Sequence, residues 1–225
     1  PVCSSAASDV YKRQDLIRSR NFKVVVDAVN STGGIAVPNL LNKLGVEVVK
    51  LYCDPNGEFP HNPEPLKENL TDLSKLVIKE QADFGIVVDP DVDRLAFVSE
   101  NGEVFGEEYT LVACADYFLK NKPGITVSNL SSSRALKDIT ESYGCEYFSS
   151  AVGEVNVVEK MKEKNAVIGG EGNGGIILPE LHYGRDALVG IALFLTHLSK
   201  LNISCSDLRK KLSLIHISEP TRRVR

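Results

Sequence analysis

One succession of elements runs through the chain twice, and that repetition limits the fold more than any other feature. The stretch KVVVDAVNSTGGIAVPNLLNKLGVEVVKLY (23–52) reads as a β-branched strand, a polar glycine-bearing turn, an amphipathic helix and a second strand. A helical crossover of this kind returns the chain to the same end of the sheet, so the two strands should be parallel. The loop CDPNGEFPHNPEP (53–65), with four prolines, can continue neither element. A helix over about 66–81 and a strand at 83–88 are predicted next. An aspartate-rich turn follows, then LAFVSENGEVFG (95–106), where Asn101-Gly102 between apolar runs signals a hairpin, and a helix over 107–120.

The plan then starts again. GITVSNLSSSRALKDITESYGCEYFSS (124–150) is strand, polar turn, helix and strand, followed by a helix over about 154–163. The strand AVIGG (166–170), the loop EGNGG (171–175), the strand IIL (176–178) and a helix over about 186–199 complete the second copy. The predicted class is α/β: two tandem, similar α/β domains with mixed, largely parallel sheets, 15–122 and 123–212, divided near Pro123. The polar loops at 89–94 and 171–175 take equivalent places, each directly after a strand. Ligands of open α/β sheets bind beyond the carboxyl ends of the strands, so two such loops facing one cleft would form a composite site.

The ends read differently. PVCSSAASDVYKRQ (1–14) and SLIHISEPTRRVR (213–225) show no periodicity continuous with their neighbours and resemble translated adapter sequence, so both are set aside as foreign tails. The natural protein is expected to extend beyond both ends. Without the tails' five basic and two acidic residues, 21 basic and 28 acidic residues remain, a net charge of −7. An acidic body without a basic stripe argues against nucleic acid as a partner. The longest apolar run, ALVGIALFL (187–195), falls far short of the roughly 20 residues that span a bilayer, so no membrane partner is expected. Five scattered cysteines, an odd number without CxxC spacing, suggest neither a disulfide framework nor a zinc site, which makes a reducing, cytoplasmic location the default.

DPDVDR carries the most chemistry. Asp89, Asp91 and Asp93 lie at alternate positions after an apolar strand. Three carboxylates in five residues repel one another unless a cation relieves them. Oxygen ligands of this hardness suit Mg²⁺ or Ca²⁺, and Arg94 is the residue type for bidentate contact with phosphate. An acidic surface turn is the plain alternative. An EF-hand would require glycine where Arg94 stands and a helix where a hairpin is predicted. A haloacid-dehalogenase-like phosphatase would use Asp89 as nucleophile, but Asp93 occupies a position where that signature prefers Thr or Val. In GGEGNGG (169–175), Glu171, Gly172 and Asn173 pair a carboxylate and an amide with glycines that admit close approach, which suits the paired hydroxyls of a sugar. VNSTGG (29–34) matches no phosphate-loop pattern and is read as a tight strand–helix turn. In HYGRD (182–186), Asp186 reads as a helix N-cap, with His182 and Arg185 placed either to reach the cleft or to lie on the surface.

Together DPDVDR and GGEGNGG resemble the metal-binding and sugar-recognition loops of the α-D-phosphohexomutases, in the same order and at a similar distance. The similarity covers about residues 15–212. Family members have four domains, and this chain resembles the second and third. The resemblance implies Mg²⁺ on Asp89, Asp91 and Asp93, completed by a phosphoserine of the first domain. It places Arg94 on the phosphoryl group in transfer as the catalytic contact. Glu171, Gly172, Asn173, Glu154 and Arg185 fall on the hexose phosphate, and a hexose bisphosphate is implied as the intermediate. Gly153-Glu154 with EGNGG resembles the branch of phosphoglucosamine mutases and phosphomannomutase/phosphoglucomutases. Glu154 facing an amino sugar favours the former, with the latter as alternative. A non-catalytic sugar-phosphate binding module is the reading from another class. Neither the family's serine loop nor its C-terminal phosphate loop has an equivalent here, so the chain alone is expected to lack mutase activity.

Overall fold

A computed structural model of the chain describes residues 13–218, with side chains described as far as 213. Helix α1 runs from the first described residue to 18, and the first sheet follows: β1 (Lys23–Asp27), α2 (Gly33–Lys43), β2 (Glu47–Leu51), α3 (Thr71–Lys79), β3 (Phe84–Val88) and β4 (Leu95–Ser99). Helix α4 (Glu107–Asn121) leads to the second: β5 (Thr126–Asn129), α5 (Ala135–Ser142), β6 (Tyr147–Ser150), α6 (Glu154–Lys164), β7 (Ile168–Gly170), β8 (Ile176–Ile177), α7 (Ala187–Leu201) and α8 (Cys205–Ser218). The strand orders are β2-β1-β3-β4 and β6-β5-β7-β8. In each sheet three strands are parallel and the last turns back antiparallel. The fold is the predicted pair of α/β domains with mixed, mostly parallel sheets. All five residues of β3 are buried, as expected of a strand covered on both faces.

Some boundaries differ from the sequence reading. The helix expected over 66–81 is a 3₁₀ turn, Lys67–Asn69, and then α3, because Asn69 Nδ2 donates to the Glu64 carbonyl (2.8 Å) and holds the first turn apart. The tails drawn at 1–14 and 213–225 lie mostly outside the described residues, but 13–14 belong to α1 and 213–218 to α8. Among the described residues no single helix is long and apolar enough to cross a membrane, and Cys53, Cys114, Cys145 and Cys205 are free thiols.

Helix α4 joins the domains more tightly than a division at Pro123 suggests. Residues Thr110 through Leu119 are all buried, and the helix packs on β4 of the first sheet, β7 of the second, and α5, α7 and α8. Ten consecutive buried residues face every side of a helix, so it has to be covered on every side. Helix α7 sends Phe194 into the first domain, where it stacks on Phe97 (centroids 3.8 Å apart) and meets Phe84 and Phe105 edge-on at 5.6 and 5.3 Å. The two domains therefore share one aromatic core.

A buried polar cluster ties the helices of that junction. Asp116 on α4 is 3% exposed and accepts from Tyr143 Oη (2.6 Å) and His197 Nε2 (2.9 Å), with Lys211 Nζ of α8 at 3.7 Å. Burial alone would raise its pKa, but hydrogen bonds from His197 and Tyr143 outweigh burial and hold it below the usual carboxylate range. Asp116→Asn leaves one oxygen for two donors and turns an N–H toward the other. We expect a loss of about 2 kcal/mol in urea unfolding; an unchanged midpoint would mean that the cluster adds nothing to stability.

Candidate functional site

The aspartate loop is closed by its own first residue. Asp89 follows the last residue of β3, and its Oδ1 accepts the backbone N–H groups of Asp93 and Arg94, both at 3.0 Å. This tight closure puts Val92 at φ +61°, a left-handed conformation that a β-branched side chain rarely adopts and that costs on the order of 1–3 kcal/mol. Two outside contacts hold the loop in place: Thr32 Oγ1 donates to the Pro90 carbonyl (2.9 Å), and the Ala187 N–H donates to the Val92 carbonyl (3.0 Å). One oxygen each of Asp89, Asp91 and Asp93 then lies within 4.8 Å of the others. Asp89 is buried and Asp91 exposed, while Asp93 Oδ1 is buried without a hydrogen-bond partner. Burial first, and then the neighbouring aspartates, push Asp89 up to about 7 against the opposing effect of the Arg94 amide. A cation in the trio would reverse that balance.

Arg94 turns back over the same loop, with Nε 3.4 Å from Asp89 Oδ2 and Nη1 donating to Glu64 Oε1 at 3.0 Å. Glu64 belongs to the proline-rich segment 53–65, which lies as a strap across the carboxyl end of the first sheet. His61 anchors that strap. Its Nε2 faces Asp27 Oδ2 at 3.0 Å and its Nδ1 faces the Asn62 carbonyl at 2.8 Å. Both partners are acceptors when Asp27 is ionised, so this arrangement uses the doubly protonated imidazolium. The Asp27 hydrogen bond raises the His61 pKa, outweighing burial, which lowers it. For a base raised on folding, the stabilisation is complete below the unfolded value near 6.5 and is lost as pH rises through the folded value. Amides of 53–65 are therefore expected to lose hydrogen-exchange protection as pH rises above about 6.5 and through the raised folded value, beyond the intrinsic rate change. Constant protection would show that the imidazolium does not hold the strap.

In the second domain Glu171 is the counterpart of Asp89, directly after the last residue of β7 and 5% exposed. Its Oε1 accepts from Asn129 Nδ2 (2.9 Å) and the Gly153 N–H (3.2 Å), and its Oε2 from Arg185 Nη1 (3.0 Å). Asn173 Oδ1 accepts the Gly175 N–H (3.2 Å), and Gly172 lies against Ser132. Gly174, at φ +87°, brings the loop onto the first domain, where a Cβ would stand 2.1 Å from the Leu95 carbonyl oxygen.

Arg185 closes the junction. Its guanidinium pairs with Asp93 of the first domain, with Glu171 at 3.0 Å and with Glu154 at 3.3 Å, and its backbone N–H donates to Glu154 Oε1 (3.2 Å). The nine residues singled out from the sequence, Asp89, Asp91, Asp93, Arg94, Glu154, Glu171, Gly172, Asn173 and Arg185, thus gather at one interdomain site. Both oxygens of Glu171 and of Glu154 are engaged within the protein. The free carboxylate on which the amino-sugar assignment rested is therefore paired with Arg185. Asp186 does cap α7, accepting the Val189 N–H at 3.1 Å, and His182 Nε2 meets its other oxygen at 3.0 Å. The glycines of VNSTGG, read as serving a tight turn, instead open α2 and allow close packing: a Cβ on Gly34 would stand 2.3 Å from the Cys53 carbonyl oxygen.

Sequence reasoning passed over Asp27, His61, Glu64 and Asn129. Asp27 and Asn129 are the last residues of β1 and β5, one position before the place directly after a strand that picked out Asp89 and Glu171, and a strand-end rule widened by one residue would have found these two.

Comparison with known proteins agrees with this architecture. Residues 5–102 match the model of phosphoglucomutase/phosphomannomutase α/β/α domain II, and 106–214 that of domain III. A phosphoglucomutase/phosphomannomutase of Thermococcus kodakarensis is 36% identical over 200 residues, 88% of this chain and 44% of that protein. A "Probable phosphoglucosamine mutase" of Methanosarcina barkeri is 36% identical over 198 residues, covering 88% and 45%. The crystal structure of a phosphoglucomutase/phosphomannomutase family protein from Burkholderia thailandensis superposes with a TM-score of 0.78 at 30% identity, covering 91% of this chain and 46% of that one. The chain thus spans less than half the length of these relatives. Two adjoining domain matches in family order, on a fold whose two sheets carry them, establish that this chain belongs to the α-D-phosphohexomutase superfamily as its domains II and III.

Proposed function

We propose that the protein containing this chain is a divalent-cation-dependent phosphohexomutase, which interconverts hexose 6-phosphate and 1-phosphate through a hexose bisphosphate. The observation that carries the reading is the convergence of the Asp89–Asp91–Asp93 trio, with its unpartnered buried Asp93 oxygen, on the 171–175 loop across one interdomain junction. An all-carboxylate set with open coordination suits Mg²⁺, which would neutralise charge on the phosphoryl oxygens. The protein's own groups supply the positioning. Arg94 presents a guanidinium beside the trio with Nε making no hydrogen bond, suited to a phosphoryl oxygen. Asn173, half-buried on the facing loop, offers an amide to sugar hydroxyls. Glu171, held by three donors, keeps that loop in place.

Cation binding is measurable on this chain. Titration calorimetry with MgCl₂ is expected to give a single site that Asp91→Asn weakens about tenfold or more, since removing one charged ligand from a hard-cation site costs at least 1.4 kcal/mol. Heat indistinguishable from dilution would remove the cation from the reading. Turnover belongs to the full-length parent protein, where kcat/KM for glucosamine 1-phosphate, mannose 1-phosphate and glucose 1-phosphate identifies the substrate. Glu154 is about one-third exposed, so an ammonium could replace Arg185 on it. The glucosamine reading then requires Glu154→Gln to lower kcat/KM for the amino sugar alone. An equal loss on all three substrates would mean that Glu154 does not select the amino sugar.

A further inference from the structure

We propose that Arg185 is an internal stand-in for the divalent cation: it neutralises Asp93 while the trio holds no ion and gives that carboxylate up when the ion binds. The inference rests on the cation reading above. It makes Arg185 a positioning residue that couples the two domains.

Three observations carry it. Asp93 is shared: it belongs to the trio, its Oδ2 takes the guanidinium of Arg185, and its Oδ1 is buried without a hydrogen bond, which leaves that oxygen for an ion. A dication on one carboxylate oxygen and a guanidinium on the other repel each other, so each weakens the other's hold. Arg185 also has an alternative place to go. Its Nε lies 3.3 Å from Glu154 Oε2 but makes no hydrogen bond, and its Nη1 is already on Glu171. Turning away from Asp93 would let the guanidinium complete a two-point pair with Glu154 and remain charge-balanced. The movement is confined to the side chain, because the backbone is fixed by the Arg185 N–H on Glu154 and by a bridge to Ile177.

The consequence is a message across the junction. An ion arriving at the first domain's loop moves the grip of Arg185 from Asp93 of that domain to Glu154 of the second, and with it the charge that Glu154 presents. Coupling of this kind is reciprocal: whatever draws Arg185 toward Glu154 also tightens the ion.

The test is Mg²⁺ and Mn²⁺ affinity, measured by calorimetry on the whole chain as wild type, Arg185→Gln and Arg185→Lys. Removing the competing charge is expected to tighten cation binding about tenfold in the Gln variant, while the Lys variant, which keeps the charge, stays within about threefold of wild type. Equal or weaker binding by Arg185→Gln would overturn the inference while leaving the cation site standing. Lys behaving like Gln would overturn it too, since charge would then not be the cause. Absence of binding in all three proteins would overturn both this inference and the cation reading. In case Arg185→Gln fails to fold, the wild type decides: the Arg185 Nε–H NMR resonance is expected to shift along the Mg²⁺ titration, with the calorimetric midpoint. A resonance unmoved at saturation would overturn the proposal.

Discussion

Asp89→Asn is expected to lower divalent-cation affinity at least about 100-fold while leaving the cation-free protein no less stable. The amide oxygen of Asn can still accept the Asp93 and Arg94 N–H groups that Asp89 Oδ1 accepts at 3.0 Å, so the loop keeps its closure. What disappears is the most buried of three charges gathered within 4.8 Å. In the absence of an ion that charge is a liability, since it is both desolvated and repelled by its neighbours. With an ion present it is the least solvated ligand of the three, and a hundredfold loss corresponds to about 2.7 kcal/mol. Thermal unfolding with chelator and with excess Mg²⁺ separates the two effects: the variant should match or exceed the wild type in chelator and gain little from Mg²⁺. A variant that melts well below the wild type in chelator would mean that the ionised carboxylate itself holds the loop.

Gly174→Val is expected to cost on the order of 4 kcal/mol and to detach the 171–175 loop from the first domain. Two penalties add. The residue adopts φ +87°, which a side chain resists, and its Cβ would stand 2.1 Å from the Leu95 carbonyl oxygen. Leu95 cannot step aside, because it opens β4 paired with Val88 and its side chain is fully buried. Gly57 supplies the control, with a similar φ of +79° and nothing within 4 Å of its missing Cβ. Gly57→Ala should therefore show the backbone strain alone, about 1 kcal/mol. Gly174→Ala should exceed it by 2 kcal/mol or more in urea unfolding. Similar costs at the two positions would mean that the loop is not seated on Leu95 in solution.

Much of this architecture was legible before any coordinates. The β-branched runs KVVVD and FGIVV, the amphipathic helices between them and the recurrence of the plan after Pro123 predict two similar sheets, and local periodicity is enough to do so. The strand-end rule located both loops, because a parallel sheet delivers its strand ends to one edge. The strap was legible only as a loop. Its prolines exclude helix and strand, but nothing in that composition says that His61 reaches back to a buried Asp27 34 positions earlier.

Sequence by itself determined the order of the elements from β1 to α7, the repeat, the positions of the aspartate and glycine-rich loops, and hence which residues stand at the functional edge; the flanking helices α1 and α8 were not read from it. Only the tertiary structure decided how the halves meet. The α4 helix reads as the end of the first repeat because it follows the hairpin. Its ten consecutive buried residues instead require cover from both domains, and Phe194 completes an aromatic core begun 110 positions earlier at Phe84. The same holds at the site, where Arg185 and Asp93 stand 92 positions apart. Periodicity records which face of an element is buried, since that depends on neighbours a few residues away. It carries no record of which distant carboxylate a guanidinium will meet, because that pairing is set by how two separately built sheets pack together.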